Sequence, residues 1–326
     1  MHRRLSLALA ADAVTLPEGR ILLLRPPPDL DLDDIPGTFA AVHGFKPDHD
    51  AIAARGLPVT PGVEGRFDAA VVFVARARAQ TLDLIAQAVA AVPPGAPVVV
   101  DGQKLDGADA IVKLCRKAFD LGEVFAKSHG KTFAFPAAPV PEGWAAAPRE
   151  VDGFVTRPGV FSADGEDAGS ALLAEHFGDL AGRVCDLGAG WGYLSRAVLS
   201  RKEVVACALV EAEHAALDCA RANVDDPRAT FHWADATTWT GGPFDVVVSN
   251  PPFHTARKAD PALGRAFIAA AARLLAPGGR FLMVANRHLP YEETLTACFG
   301  TVAVLEDRDG FKVIEARKPK RQRGRP

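Results

Sequence analysis

Four consecutive residues in the second half of the chain, Asn250-Pro251-Pro252-Phe253, combine a primary amide, a rigid backbone and an aromatic ring. Two successive prolines fix φ and prevent a strand from continuing, so the chain must turn here. The turn would hold the Asn250 side-chain oxygen and the Pro251 carbonyl as two fixed acceptors. Accepting both N–H groups of an exocyclic base amine would free its lone pair to attack an electrophilic methyl group. Phe253 would offer an aromatic face on which a flat base can stack.

A glycine-rich segment, Asp186-Leu-Gly-Ala-Gly-Trp-Gly192, is the second candidate site. Gly188, Gly190 and Gly192 would permit positive φ angles and leave room where a ligand approaches the backbone. A dinucleotide fingerprint needs G-x-G-x-x-G, but Tyr193 occupies its third glycine position. The observed spacing, with an acid two residues before the first glycine, instead resembles the S-adenosylmethionine loop of class I methyltransferases.

Two further acids end apolar segments after this loop. Glu211 follows Asp186 by 25 positions, where a carboxylate can accept hydrogen bonds from both hydroxyls of a ribose. Asp235 is placed to accept a hydrogen bond from an adenine amine. Taken singly, either acid is better explained by helix capping or surface exposure, and only the combination with the glycine loop favours a ligand.

These residues require elements that bring strand ends together. Apolar runs predict strands and amphipathic patterns predict helices, with strands at 183–187, 204–210, 229–233, 244–249 and 280–285 and helices at 193–199, 212–223 and 263–275. Strands alternating with helices at this spacing indicate right-handed βαβ units and a parallel sheet. Segments 301–306 and 311–316, joined by Asp309-Gly310, predict a closing antiparallel hairpin.

The first half of the chain repeats this order in weaker form. Gly19–Leu24 resembles Gly182–Leu187, and Phe67–Val72 resembles Phe244–Ser249. A Pro-Gly turn and a hairpin-like segment follow each pair in the same order. The sequence therefore predicts an α/β fold of two tandem Rossmann-like class I methyltransferase domains, a duplication in which each mostly parallel sheet has a terminal antiparallel hairpin.

The halves differ at the positions that could do chemistry. Where the second half has its acid and first two loop glycines, the first half has Leu23, Arg25 and Pro27. Where the second half has the Asn-Pro-Pro-Phe turn, the first has Phe73-Val-Ala-Arg76. We expect the first half to be non-catalytic. The predicted organisation is a degenerate domain at 1–135, a proline- and alanine-rich linker at 136–150, a catalytic domain at 151–316 and a basic tail at 317–326.

Composition limits the remaining classes. The 326 residues are 48% hydrophobic and 24% charged, which suits a globular protein of about two domains. Five widely spaced cysteines without a C-x-x-C pair exclude a disulfide scaffold and argue against structural zinc, so no metal is expected. No uncharged apolar run approaches the roughly 18–20 residues of a membrane span. We expect a cytoplasmic protein with no membrane partner.

The charge is distributed unevenly along the chain. The net charge is −3, but residues 317–326 carry six Lys and Arg and no acid, which leaves −9 for the remainder. Such a tail suits salt-dependent attraction to RNA. A solvated C-terminus that binds nothing would have the same composition.

Further segments extend the similarity noted for the glycine loop. They are Pro158-Gly-Val-Phe-Ser162, Asp167-Ala-Gly-Ser-Ala-Leu-Leu173, Asn250-Pro-Pro-Phe-His254, Ala285-Asn286 with Leu289-Pro-Tyr291, and Gly310-Phe-Lys-Val313. Together they closely resemble the RsmC-type ribosomal RNA small-subunit methyltransferases, which make N2-methylguanine. The resemblance is dense from about Arg157 to Arg317 and faint before that.

This resemblance implies S-adenosylmethionine as cofactor, the small ribosomal subunit and its 16S rRNA as partner, and a degenerate first domain that serves as an RNA platform; we expect a monomer. Phe161, Gly169 and Ser170 would help to cover the cofactor. Asp186 to Gly192 would hold its methionine part, and Asn250 to Phe253 would hold guanine beside it, with Asn250 also contacting the cofactor. The bulky Trp191 departs from the family's pattern.

Other functions fit parts of the sequence. A sister family acting on large-subunit rRNA shares most of these motifs, and adenine N6 and protein glutamine amides also present a planar NH2 group. In families acting on those two acceptors the turn usually ends in Tyr. A non-catalytic RNA-binding or ribosome-assembly module is the alternative from another class, and the intact loop argues against it. The weaker candidates for RNA contact, all equally compatible with solvent exposure, are His254, Arg257, Lys258 and His288.

Overall fold

The computed structural model describes residues 3–33, 35–252 and 261–320. The chain divides into two compact units. Unit 1 comprises Met1–Pro148 with Arg157–Gly159, and unit 2 comprises Arg149–Thr156 with Val160–Pro326. In the described part of the chain, no helix combines the length and apolar character needed to cross a bilayer.

Unit 1 is built on one sheet covered by helices. Its strands are β1 (Arg20–Leu24), β2 (Thr38–Val42), β3 (Val59–Thr60), β4 (Ala69–Phe73), β5 (Pro97–Gln103), β6 (Phe125–Lys127) and β7 (Gly130–Pro136). Its α-helices are α1 (Arg4–Ala10), α2 (Lys46–Ala54), α3 (Arg78–Ala91) and α4 (Ala108–Ala118). The described residues form a seven-stranded sheet of order β3-β2-β1-β4-β5-β7-β6. β1 to β5 pair in parallel, whereas β7 is antiparallel to both of its neighbours.

Unit 2 begins with a small antiparallel pair, β8 (Arg149–Val151) and β9 (Phe154–Thr156). The strands of its main sheet are β10 (Gly182–Leu187), β11 (Val204–Glu211), β12 (Ala229–Trp233), β13 (Phe244–Ser249), β14 (Leu275–Asn286), β15 (Phe299–Arg308) and β16 (Phe311–Pro319). Its helices are α5 (Ala168–Ala174), α6 (Tyr193–Leu199), α7 (His214–Asn223), α8 (Pro261–Leu274) and α9 (Glu292–Cys298). The strand order is β12-β11-β10-β13-β14-β16-β15.

The two main sheets have the same strand order when strands are counted within each unit. The predicted α/β class, with two tandem Rossmann-like domains and an antiparallel hairpin ending each mostly parallel sheet, is therefore confirmed. All five residues of β4 are buried, as are the last four of β10. Such continuous buried runs are typical of parallel strands covered on both faces, and the run in β10 includes one polar residue, Asp186.

Backbone hydrogen bonds identify equivalent positions in the two units. The Arg25 N–H donates to the Val42 carbonyl at 2.8 Å, and the Gly188 N–H donates to the Val210 carbonyl at 2.9 Å. Arg25 has a φ of 56° and Gly188 a φ of 82°. Unit 1 therefore keeps the left-handed turn after its first strand without a glycine, at a cost of roughly 1–2 kcal/mol.

Two boundaries differ from the sequence expectation by more than two residues. β14 begins at Leu275 rather than near 280, and its pairing with β13 is irregular between Leu275 and Arg280, so the Pro-Gly-Gly segment lies in a bulge. β16 extends to Pro319 and pairs Arg317 with Thr301 of β15. The first residues of the basic segment are thus part of the sheet because β15 offers them backbone partners.

The segment expected to be a linker packs on unit 1 as far as residue 148. Trp144 is buried, and its ring lies edge-on to Phe119 with centroids 5.6 Å apart. Burial of this large side chain explains why a proline-rich stretch does not behave as a free spacer.

A buried ion pair distinguishes the sheet of unit 1 from that of unit 2. Asp101 accepts hydrogen bonds from Arg4 Nη2 at 2.7 Å, from Arg4 Nε at 2.9 Å and from Thr132 Oγ1 at 2.5 Å. Asp101 lies opposite Thr132, two residues before the end of β5. The equivalent pair in unit 2 is apolar, with Val284 opposite Val313.

Replacing Arg4 with Met should destabilise unit 1 by about 3–5 kcal/mol, because it leaves the Asp101 carboxylate buried without its cation. The triple variant Arg4→Met, Asp101→Val, Thr132→Val copies the apolar pair of unit 2 and should recover most of this loss. Hydrogen exchange of β5 and β7 peptides in the full chain measures both effects. Equal protection in wild type and Arg4→Met would contradict the expectation.

Candidate functional site

The polar residues predicted from the sequence meet at one edge of the unit 2 sheet. β10, β11 and β13 are parallel neighbours and end at Leu187, Glu211 and Ser249. The carboxyl ends of parallel strands lie on the same side, where open α/β sheets bind ligands. Asp186, Glu211 and Asn250 are therefore brought to one place although they lie far apart in the chain.

The three loop glycines have positive φ values of 82°, 55° and 91° at positions 188, 190 and 192. A Cβ on Gly188 would lie 3.0 Å from the Phe267 ring, and one on Gly192 would lie 3.0 Å from Val224. These two glycines allow close packing. A Cβ on Gly190 would meet nothing within 4 Å, so this position faces open space.

Glu211 holds the glycine loop from the neighbouring strand. Its Oε2 accepts from the Gly190 N–H at 2.8 Å, and its Oε1 accepts from the Glu213 N–H at 2.7 Å. Burial raises the pKa of this carboxyl, and the two backbone N–H groups oppose the shift. Each carboxylate oxygen retains a second lone pair, so the group can still accept from a ligand hydroxyl.

Asp186 is fully buried beneath the loop. Its Oδ2 accepts from Ser195 Oγ at 2.6 Å, whereas its Oδ1 has no hydrogen-bond partner among the described residues. Burial, with the nearby charge of Glu211, raises the pKa of Asp186 to about 7, although the Ser195 hydrogen bond opposes the shift. An unpartnered buried carboxylate oxygen is costly and suits a site that receives a donor from a ligand.

Asn250 is fixed by the start of α5. Its Nδ2 donates to Asp167 Oδ2 and to Ser170 Oγ, both at 2.8 Å. The same Asp167 oxygen caps the helix by accepting from the Ser170 N–H at 2.8 Å. Pro251 is buried and Pro252 is exposed.

The remaining predicted residues around this turn are outside the described part of the chain. They are Phe253, His254, Arg257 and Lys258. The sequence analysis gave Asp167 no role beyond its place in a segment that resembles the family. The structure adds it to the site through its contact with Asn250. The available signal was a capping residue three positions before Ser170 at the start of an apolar run.

The side chain of Trp191 is buried beside the glycine loop. Its side chain is 4% exposed and packs in a cluster with Val160, Ala216 and Cys219. Its Nε1 donates to the Phe161 carbonyl at 2.8 Å. The large residue that departs from the family pattern thus anchors the segment that carries Phe161, whose own side chain is 60% exposed.

Three other predicted residues have a packing role, a turn-closing role and an exposed position, respectively. Gly169 allows close packing in α5, because a Cβ there would lie 3.1 Å from the Phe311 ring. Asp235 Oδ1 accepts from the Thr237 N–H at 2.8 Å and from Thr237 Oγ1 at 2.7 Å, so it closes the turn after β12. His288 is exposed.

The cleft at this edge combines the loop, the start of α5 and the end of β13. Its lining residues are Phe161, Asp167, Ser170, Gly188, Ala189, Gly190, Trp191, Tyr193, Leu194 and Asn250. Glu211 holds the loop directly through the Gly190 N–H, and Asp186 lies buried beneath the loop; neither residue lines the cleft. The unpartnered Asp186 oxygen, the open space at Gly190 and the Glu211 carboxylate fit the polar groups of a nucleoside carrying a cationic amino acid. Within the described ranges, no cluster of His, Cys, Asp and Glu has an arrangement suited to a metal ion.

Comparisons with known proteins identify methyltransferases as relatives of this chain. Residues 152–315 match the family model described as "Methyltransferase small domain". The ribosomal RNA small subunit methyltransferase C of Hahella chejuensis (strain KCTC 2396) is 30% identical over 322 residues, which cover 91% of this chain and 94% of that protein. The protein of the same name from Shewanella loihica is 30% identical over 77% of this chain and 78% of its own length.

A solved structure is similar over both units. It is the T. thermophilus 16S rRNA N2 methyltransferase (RsmC) in complex with AdoMet and guanosine. The match has a TM-score of 0.76 at 25% sequence identity and covers 94% of this chain and 90% of that one.

The raised pKa of Asp186 predicts how stability depends on pH. A carboxyl whose folded pKa lies above its unfolded value of 3.8 favours folding when protonated, so stability falls as pH rises toward about 7. From pH 5 to pH 8 this group should lower the free energy of unfolding by roughly 2–3 kcal/mol. Asp186→Asn should lack that component, which urea unfolding at both pH values measures. Parallel pH profiles for the two proteins would rule the assignment out.

Proposed function

Because this chain belongs to the RsmC-type family of ribosomal RNA small-subunit methyltransferases, we propose that it methylates the exocyclic N2 of a guanine in 16S rRNA. Dependence on S-adenosylmethionine and action on small-subunit rRNA follow from family membership. The choice of guanine N2 as the acceptor atom goes beyond family membership. It is supported by the site of this chain and by the guanosine bound to the T. thermophilus relative.

The observation that carries the proposal is the fixed amide of Asn250 beside the Pro251-Pro252 turn. Its Nδ2 is held by Asp167 and Ser170 at 2.8 Å each. The Oδ1 atom therefore lies on the branch of the amide that is turned away from these two residues. This oxygen and the Pro251 carbonyl are the two acceptors proposed for the amine.

The chemistry required of these acceptors is modest. S-adenosylmethionine supplies an electrophilic methyl group on a sulfonium. Asn250 Oδ1 and the Pro251 carbonyl would accept the two amine hydrogens, favour a pyramidal nitrogen and direct its lone pair at the methyl carbon. The nitrogen would gain the methyl carbon as the carbon–sulfur bond breaks, and it would then lose a proton to solvent. Catalysis would come from positioning and from exclusion of water rather than from a general base.

The loop residues are proposed to hold the cofactor. Glu211 would accept from the ribose hydroxyls through the lone pairs that its backbone donors leave free. The unpartnered oxygen of Asp186, buried beneath the loop, would receive its hydrogen bond from the methionine end through a water molecule. Gly190 would let the ligand approach the backbone because it has no side chain. Asp235 remains a prediction from its position after β12, and Phe161, Gly169 and Ser170 remain predictions from the family resemblance.

Guanine N2 faces the minor groove and is paired in a duplex. A base must therefore leave its helix to reach two acceptors at the bottom of a turn. Phe253 is proposed to stack on the extruded base. Its place in the motif favours guanine over adenine N6 or a glutamine amide, whose enzymes usually carry Tyr there.

Unit 1 is proposed to be a non-catalytic RNA platform. Arg25 takes the place of the first loop glycine, and the residue after β2 is His43 where unit 2 has Glu211. His43 Nδ1 accepts from the Phe45 N–H at 3.3 Å, as Glu211 accepts from Glu213. Burial, with the charge of Arg25, lowers the pKa of His43 to about 3, so its imidazole is neutral. Unit 1 therefore lacks, at this position, the carboxylate that unit 2 can offer to the hydroxyls of a ribose.

Asn250→Ala should lower the rate of methyl transfer by about 100- to 1,000-fold, as expected for loss of one preorganised polar group. The cofactor should still bind. Transfer of labelled methyl groups to small subunits, large subunits and naked rRNAs, followed by mapping of the modified base, measures this. RNA with inosine at the mapped position is the matched substrate control, because inosine lacks the N2 amine. A wild-type rate for Asn250→Ala, or methylation of the inosine position, would refute the N2 assignment.

Gly190→Ala should weaken S-adenosylmethionine binding by about tenfold or more, equivalent to 1.4 kcal/mol, because a methyl group fills space needed by the ligand. Gly56→Ala in unit 1 is the matched control. Gly56 also has a positive φ, and a Cβ there would also meet nothing within 4 Å. Both variants should lose roughly 1 kcal/mol of stability. Isothermal titration of the full chain separates them, and equal affinities would reject the loop assignment.

A further inference from the structure

We propose that Asp167 is a positioning residue that determines which way the Asn250 amide faces. The inference rests on the proposed function, because the orientation matters only if the Asn250 oxygen receives the substrate amine. Asp167 would not touch the reacting atoms. It would act through Asn250, from the N-cap position of α5, 83 positions earlier in the chain.

An asparagine amide carries an acceptor oxygen and a donor nitrogen on one carbon, and the torsion that exchanges them is soft. A turned-over Asn250 would present N–H groups to the substrate amine, which is itself a donor. The backbone turn does not choose between the two orientations. A neighbouring group with fixed hydrogen-bond polarity is needed to choose.

An ionised Asp167 has that polarity, because a carboxylate accepts hydrogen bonds and does not donate them. Its contact with Asn250 Nδ2 at 2.8 Å is therefore possible in one amide orientation only. Ser170 Oγ also accepts from this nitrogen at 2.8 Å. A hydroxyl can donate as well as accept, so Ser170 alone would tolerate either orientation.

Asp167 is itself held in place by the start of α5. Its Oδ2 accepts from the Ser170 N–H at 2.8 Å as the helix cap. Gly169 lets α5 approach β16, since a Cβ there would lie 3.1 Å from the Phe311 ring and 3.1 Å from Asp167 Oδ2. The capping carboxylate is thus a rigid acceptor and not a mobile surface group.

The arrangement also specifies amide rather than acid at position 250. An aspartate there would retain an acceptor for the substrate but would bring a second carboxylate against Asp167. Two like charges at hydrogen-bond distance disfavour each other strongly. The charge of Asp167 therefore makes asparagine, and not aspartate, the residue that fits this turn.

The first test separates the capping role of Asp167 from its action on Asn250. Serine caps helices as well as aspartate does, but its shorter side chain does not reach Asn250. Asp167→Ser should lower kcat by about 10- to 100-fold, the usual weight of a hydrogen bond to a charged group, with KM for RNA unchanged. In an Asn250→Ala background the same substitution should have no further effect on kcat. Additive losses would overturn the proposal, since Asp167 would then act by another route.

The second test places a like charge against Asp167 and then removes it. Asn250→Asp should lower kcat by about 100-fold or more because its carboxylate faces Asp167. The double variant Asp167→Asn, Asn250→Asp retains a capping residue at 167 and removes the like charge that faces the new carboxylate. It should recover at least about tenfold of the lost rate. If Asp167 only caps α5, the added Asp167→Asn substitution would give no recovery, and that result would reject the proposal.

A structural readout keeps this inference distinct from the proposed function. In the full chain with ¹⁵N-labelled asparagine, Asn250→Ala assigns the Asn250 side-chain amide signals by their loss. These signals should show slow hydrogen exchange in wild type and fast exchange in Asp167→Ser. If methyl transfer is insensitive to Asn250→Ala while exchange responds to Asp167→Ser, the proposed function fails and the fixed amide stands. Unchanged exchange in Asp167→Ser would overturn the fixed amide itself.

Discussion

The pairing of the central strand with a parallel neighbour on each side is the constraint on which the site depends. In unit 2, Asp186 of β10 lies beside Leu209 of β11 and Val248 of β13. Because all three strands run in the same direction, the residues that follow them emerge at one edge. The hydrogen bond from the Gly188 N–H to Val210 turns the chain sharply there and starts the glycine loop. The loop, its Glu211 anchor and the Asn250 turn all take their positions from this pairing.

The two units have the same sheet order but different residues at the carboxyl ends of their strands. Unit 1 preserves the sheet order and the turn but places Arg25, His43 and Phe73 where unit 2 has Gly188, Glu211 and Asn250. Unit 2 tolerates a fully buried carboxyl with an unpartnered oxygen. Such a group opposes folding when ionised, and proteins retain such strain chiefly at functional sites. In unit 1 the buried carboxyl of Asp101 is instead fully paired with Arg4 and Thr132.

A capping interaction becomes part of the proposed chemistry through one shared oxygen. Asp167 Oδ2 receives both the helix N–H of Ser170 and the amide of Asn250. The first contact is a local device that begins a short helix, and the second reaches across the sheet to the end of β13. Trp191 shows a similar double use, because its buried ring fills a small cluster while its Nε1 holds the Phe161 segment.

Sequence patterns alone predicted the duplication, the mostly parallel sheets with their terminal hairpins, and most element boundaries of unit 2. These follow from local patterns: apolar runs, glycines at sharp turns, and two prolines that end a strand. Four of the predicted strands and the helix at 193–199 match the observed bounds to within a residue. The glycine loop and the Asn-Pro-Pro turn were likewise readable because their backbone requirements restrict which residues can occupy them.

Hydrogen bonds between side chains that are far apart in the chain become visible in the tertiary structure alone. Asp167 and Asn250 are 83 positions apart, and Arg4 and Asp101 are 97 apart. Periodicity carries no information about such pairs, because they depend on how separate elements pack. The same reason explains why Trp144 draws the expected linker onto unit 1 and why β16 continues to Pro319. The sequence named the residues that could do chemistry, and packing set the direction in which the Asn250 amide faces.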